Sequence, residues 1–274
     1  MSEALPTRSP QQQTWATGDF HQLGVEQLIV GELLCEEVDV RPGQRVLDVA
    51  CGAGNTTLAA ARRRASATGC DFVPDLLARA EQRAQAEGLQ IKWIEADAQD
   101  LPFEDEEFDV VLSTFGVMFA ADQQRAADEL LRVCRPGGTI GMANWTPASA
   151  VGDIFRLTAQ YLPPPAGARA AVEWGSGPRL HELFGDRVSS LCLTDHVWRT
   201  RFDSFADWLA LYRTWYGPTN RAFAALESEP ARQYAAGLEE IVQRHNRSSG
   251  GGLLAAYEYV SVVAVKRAHR ISVG

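Results

Sequence analysis

Short apolar runs alternate with amphipathic stretches over the first half of the chain. Residues 45–50, 66–71, 90–95, 108–113 and 139–144 read as strands covered on both faces, because each is a compact apolar run. Helical periodicity fills the intervals at about 55–64, 74–88 and 122–133. Asn55 is the expected N-cap of the first helix. Pro74 suits the first turn of the second, and Gly88 suits its end. Pro136-Gly137-Gly138 is expected to turn the chain into the fifth strand. Strands alternating with helices predict an α/β fold with a doubly wound, mostly parallel sheet.

The pattern changes at both ends. Residues 1–13 are polar and read as a disordered lead, and residues 14–40 as an N-terminal lid and helix, the helix over 25–37. A further helix at 150–161 runs into Pro163-Pro164-Pro165. Residues 188–198 are strand-like, 203–245 mainly helical, and 253–265 alternate enough for a last strand. Residues 41–274 thus read as one domain, with cap insertions at about 146–187 and 200–252.

Candidate chemistry starts at the end of the first strand. Val46-Leu47-Asp48-Val49-Ala50-Cys51-Gly52-Ala53-Gly54-Asn55 puts an acid inside the strand and a Gly-x-Gly turn after it. Glycines there let the backbone turn tightly and approach a ligand without a Cβ in the way. That suits a nucleotide-like cofactor at the carboxyl edge of an open sheet. Asp48, ahead of the glycines, is placed to meet a cationic amine. A dinucleotide turn wants a third small residue where this chain has Thr57, so an NAD-dependent oxidoreductase is the less favoured reading.

This turn resembles that of the class I S-adenosylmethionine-dependent methyltransferases, whose D-x-x-x-G-x-G segment holds the methionine part of the cofactor. The resemblance continues in order. Asp71, about 20 residues after Asp48, matches the ribose-binding acid, with Phe72 beside it. Asp97 and Ala98 match the adenine loop, Thr114-Phe115-Gly116 follows the fourth strand towards the sulfonium, and Leu131–Gly138 matches the turn before the fifth. The resemblance implies a seven-stranded Rossmann-like sheet ending in an antiparallel hairpin. It implies cofactor contacts at Asp48, Ala50, Gly52, Gly54, Asn55, Asp71, Phe72, Asp97, Ala98, Thr114 and Phe115. Trp15, Asp19, Phe20 and His21 resemble the lid that small-molecule members fold over bound S-adenosylmethionine.

Absences narrow the acceptor. The chain lacks the N/D-P-P-Y/F segment of amino-methylating enzymes of nucleic acids and glutamine, and the acidic pair of metal-dependent catechol O-methyltransferases. It also lacks the paired cysteines of arsenic methyltransferases, and no metal site is expected. What remains resembles the ubiquinone/menaquinone C-methyltransferases and natural-product tailoring enzymes, and implies a small-molecule acceptor. Met118, Trp145, Tyr212 and Tyr216 are candidate pocket residues. The last two share a helical face with Phe205, Trp208 and Trp215, which fits a core stripe or a ligand wall. His21 is the candidate general base, with His181 and His196 as others. A scaffold that binds the cofactor, or a catalyst of a different reaction on it, is the alternative function.

Bulk properties fit that reading. The 274 residues carry a formal net charge of −9, which gives no basic field for nucleic acid, and 46% hydrophobic residues suffice for a real core. The run Arg62-Arg63-Arg64 reads as a solvated helix end. Cys35, Cys51, Cys70, Cys134 and Cys192 show no paired spacing and read as free thiols in a reducing compartment. No apolar run reaches 18 residues, so a cytoplasmic protein without a membrane span is expected. Oligomeric state is left open.

Overall fold

The computed structural model describes residues 10–268. Three short N-terminal helices, α1 (Pro10–Trp15), α2 (His21–Gly24) and α3 (Leu28–Glu37), precede the sheet. Residues 10–13, expected to belong to an unstructured lead, are thus helical; the rest of that lead lies outside the described residues. Then follow β1 (Arg45–Val49), α4 (Asn55–Arg62), β2 (Ser66–Asp71), α5 (Pro74–Ala86), β3 (Lys92–Glu95), β4 (Phe108–Thr114), α6 (Gln123–Val133) and β5 (Cys134–Trp145). The second half comprises α7 (Ala150–Tyr161), α8 (Gly177–Phe184), β6 (Val188–Phe202), α9 (Phe205–Trp215), α10 (Gly217–Ala225), α11 (Ser228–Arg244) and β7 (Leu253–Lys266).

The seven strands form one sheet in the order β3-β2-β1-β4-β5-β7-β6. Strands β1 to β5 pair in parallel, while β7 runs antiparallel to both β5 and β6. This is the Rossmann-like arrangement with a C-terminal hairpin. The chain winds outward from β1 through β2 and β3, then returns to place β4 on the other side of β1. Loops diverge at that switch, and a crevice opens beyond the carboxyl ends of β1 and β4. Val46, Leu47, Val49, Val110, Val111 and Leu112 bury fully between the helical layers. Asp48 is buried among them, at 1% exposure, an expensive place for a carboxylate without a purpose.

Several boundaries differ from expectation for local reasons. Asn55 does not cap α4. Gly54 takes that place at φ +80°, and the Asn55 side chain instead donates to the Gly24 carbonyl (2.7 Å) and accepts from Arg83 (2.8 Å). Pro136-Gly137-Gly138 lies inside β5, as a bulge between the pairings Phe108↔Cys134 and Val110↔Thr139. Strand β6 runs on to Phe202, so residues 200–202 belong to the sheet and the second cap insertion begins after them. Arg62 and Arg63 are not simply solvated, since they bridge α4 to Glu32, Glu36 and Glu87.

The cap elements α7 and α9–α11 bury Trp208, Tyr234, Leu238 and Val242, with Tyr234 bonded to Thr158 at 2.9 Å. No helix among the described residues is long and apolar enough to cross a membrane.

Candidate functional site

Beyond Val49 the chain makes a tight turn with left-handed backbone. Ala50 and Gly52 lie in the left-handed region at φ +53° and +54°. Gly52 donates its amide to Asp71 Oδ2 (2.8 Å), and Asp71 Oδ1 accepts from the Val73 amide (2.9 Å). The second-strand acid thus ties the glycine turn to its own following loop. Asp71 is buried, and burial, opposed by these amide bonds, pushes its carboxyl up to about 6.

Asp48 lies deeper. Its Oδ2 accepts from Thr57 Oγ1 (2.6 Å), while Oδ1 is buried with no partner. Burial raises its carboxyl to about 7, with the nearby Asp71 charge adding to the shift and Thr57 opposing it. A buried acceptor with a free lone pair is costly unless a donor arrives.

These groups edge a single cavity. It brings together Trp15, Phe20, Asp48, Ala50, Gly52, Asn55, Asp71, Phe72, Asp97, Ala98, Thr114 and Phe115. Asp97 is locked by two bonds from Gln99, backbone and side chain, each 2.9 Å, while its neighbour Asp100 points to solvent at 91% side-chain exposure. Thr114 Oγ1 bonds Thr56 Oγ1 at 2.7 Å.

Gly54 is the exception among the expected contacts, since it does not line the cavity. A Cβ there would stand 2.7 Å from the Trp93 ring and 3.0 Å from the Ala80 methyl. Its smallness serves packing behind the turn. Gly54→Val should therefore lower the melting temperature of the ligand-free protein by several degrees, readable by calorimetry, whereas a site that merely blocked the ligand would leave it unchanged.

A second chamber shares the walls Trp15, Phe20, Gln27, Phe115 and Phe119 with the first. Trp145, Tyr212 and Tyr216 line it. Trp145 stacks on Phe115, with centroids 3.8 Å apart and planes 2° from parallel, and Phe115 itself holds a left-handed φ of +55°. Strain at such a shared wall is the kind that surroundings over-determine. Met118, expected in the pocket, is instead fully buried core at the foot of the loop after β4 and lines neither chamber. The aromatic stripe of α9 divides: Trp208 and Tyr212 face the chamber, whereas Phe205 lies off it and Trp215 is 38% exposed outside.

The histidine expectation is not met by the geometry. His21 lines neither chamber; its imidazole is lowered by burial and then by Arg83, and its Nδ1 is buried without a partner. His196 pairs with Glu37 and Ser261, each at 3.0 Å, and stacks on Tyr259. His181 is exposed on α8.

Gln11, which the sequence did not single out, also lines the first cavity. Gln11 of α1 bonds the Phe119 carbonyl, and Gln12 bonds that of Phe72 at 2.6 Å. A Cβ on Gly116 would stand 2.5 Å from the Ala50 carbonyl, so the loop after β4 presses on the glycine turn. Gly116 also lines the cavity, as part of the segment expected there.

The chain matches the methyltransferase-domain family over residues 46–138. An uncharacterised protein of Mycobacterium tuberculosis is 41% identical over 232 residues, covering 84% of this chain and 85% of the relative. The demethylmenaquinone methyltransferase of Thermus thermophilus is 37% identical over 137 residues, 48% of this chain and 62% of that protein. Among solved structures, the YcgJ protein of Bacillus subtilis shares the fold at a TM-score of 0.61 and 22% identity, over 91% of this chain and 99% of that one.

Proposed function

The chain belongs to the class I S-adenosylmethionine-dependent methyltransferases, and from that premise we propose that it methylates a small molecule held in the aromatic chamber. The carrying observation is Asp48 Oδ1, a buried carboxylate oxygen without a donor at the cavity wall. It fits the ammonium of S-adenosylmethionine, which as a sulfonium supplies an electrophilic methyl group. Asp71 keeps lone pairs beyond its two amide bonds and would accept from the ribose hydroxyls. Phe72, Asp97 and Ala98 would frame the adenine, and Thr114 and Phe115 the reacting end. The chain's main contribution is alignment of two reactants across one wall, which can supply about 7–11 kcal/mol. Free cysteines Cys35, Cys51, Cys70, Cys134 and Cys192 support a reducing, cytoplasmic setting.

A pH titration tests the assignment. Only ionised Asp48 attracts an ammonium, and its carboxyl titrates at about 7 in the free protein. Affinity for S-adenosylhomocysteine should therefore fall as pH drops below about 7, approaching about tenfold per unit. Asp48→Asn should bind weakly at every pH and lose the dependence.

The linked effect on stability has the opposite direction. A carboxyl raised on folding contributes stability that is fully present below its unfolded value and lost as pH rises through the folded one. Ligand-free protein should thus weaken between about pH 4 and 7, and saturating S-adenosylhomocysteine should offset the loss. A flat affinity profile in calorimetry would remove Asp48 from the site. Tight cofactor binding with no labelled methyl passed to any component of a metabolite extract would favour the scaffold or other-reaction alternative.

A further inference from the structure

The walls of the second chamber are unusual in what they hold and lack. Eleven of its sixteen lining residues are aromatic, and none is charged. The titratable groups that reach the chamber itself are tyrosines. Burial holds Tyr212, Tyr216 and Tyr257 well above the ordinary phenol range, and Tyr257 Oη accepts from Trp208 Nε1 at 3.0 Å. Asp48, Asp71 and Asp97 stand in the other cavity. Among the described residues, then, no side chain lining the chamber is poised to take a proton from an acceptor near neutral pH. A phenol, alcohol or acid would have to be ionised before entry, and its anion would meet apolar rings and no cationic side chain.

A cation finds the reverse. Ring faces carry negative quadrupole density, and a desolvated cation over several of them is attracted. One acid stands behind this wall. Glu26 accepts from Thr200 Oγ1 at 2.8 Å through its carboxylate and from Trp198 Nε1 at 3.0 Å through its carbonyl, and its charge reaches Tyr212 and Tyr257.

Taking the proposed reading of the adjoining cavity as given, we infer that the acceptor is a neutral tertiary amine and that the chamber is an aromatic cage for the quaternary ammonium it becomes. The amine leaves any proton in water before entry, since burial among apolar rings favours its free base. Its nitrogen lone pair forms the new N–C bond, and the C–S bond breaks with its pair onto sulfur. No proton moves and no base is needed. One positive charge passes from sulfur to nitrogen, from the shared wall at Phe115 and Phe119 into the cage, so the rings favour the product side of the transfer more than the reactant side.

Equilibrium binding tests this without turnover. Full-length protein is first titrated with S-adenosylhomocysteine; no binding would overturn the reading of the first cavity and leave the cage unsupported. With that ligand saturating, choline and its uncharged carbon isostere 3,3-dimethylbutan-1-ol are compared by tryptophan fluorescence. Choline is expected to bind about tenfold or more tightly. Glu26→Gln, which alters no ring, should narrow that preference by weakening choline alone, and Tyr212→Leu should do the same. Retained S-adenosylhomocysteine affinity reports that each variant is folded. Equal binding of the two isosteres, or preference for the alcohol, in protein that binds S-adenosylhomocysteine would overturn the inference while the cofactor reading stands.

Discussion

Gly52→Val is expected to abolish S-adenosylhomocysteine binding, with a loss of more than about a hundredfold. Gly52 lies on the cavity wall, where an added Cβ would point across open space to the Phe20 ring, 3.9 Å away. Two valine methyls would occupy volume that the ligand needs. The substitution also forces a branched residue to φ +54°, which costs about 1–3 kcal/mol of stability. Gly52→Ala separates the effects, because it carries the strain with far less obstruction. The alanine variant should bind measurably and the valine variant should not, both being folded by circular dichroism. Normal affinity in a folded valine variant would mean that the ligand lies elsewhere.

Removing the N-terminal arm through Phe20 should have the next largest effect, a loss of about tenfold or more in cofactor affinity together with loss of turnover. Trp15 packs on Phe119, Phe20 and Tyr216, at centroid distances of 4.7, 5.8 and 5.8 Å. It also joins the walls of both chambers. The arm is seated by backbone as well as rings. A Cβ on Gly18 would stand 2.5 Å from the Trp215 carbonyl, and one on Gly217 would stand 2.1 Å from that of Thr14. Closing segments of this sort come from the low-stability end of a structure. Hydrogen exchange of residues 14–24 should therefore slow on adding S-adenosylhomocysteine. Equal protection with and without ligand would make the arm a static part of the wall.

The sheet was legible because its signals are local. Apolar runs such as Val46–Val49, the Gly-x-Gly turn and Pro74 each constrain a few neighbouring residues, and their order determines the winding. The gathering of Asp48, Asp71 and Asp97 at one cavity was legible for the same reason, each being fixed by position relative to a strand end. What sequence could not supply was direction across distance. Gly54 and Gly52 are two residues apart, yet one faces Trp93 and the other the cavity, and only the path of the turn separates them. Tyr212 and Trp215 share a helix and point to opposite environments because the arm and α10 close around one face of α9. Met118 sits where a pocket residue belongs in sequence, but the short turn after Gly116 rotates it into the core. His21 was proposed from its place in the arm, and it points away because Phe20 takes the inward position beside it.

The common wall of the two chambers has a kinetic side. Trp15 and Phe20 bound both spaces, so a motion that frees one occupant loosens the seal on the other. Spent donor and finished product would then leave through a shared doorway, and its opening rate would cap the number of cycles per second. A tighter grip on either guest would lengthen the wait at that door and slow the enzyme.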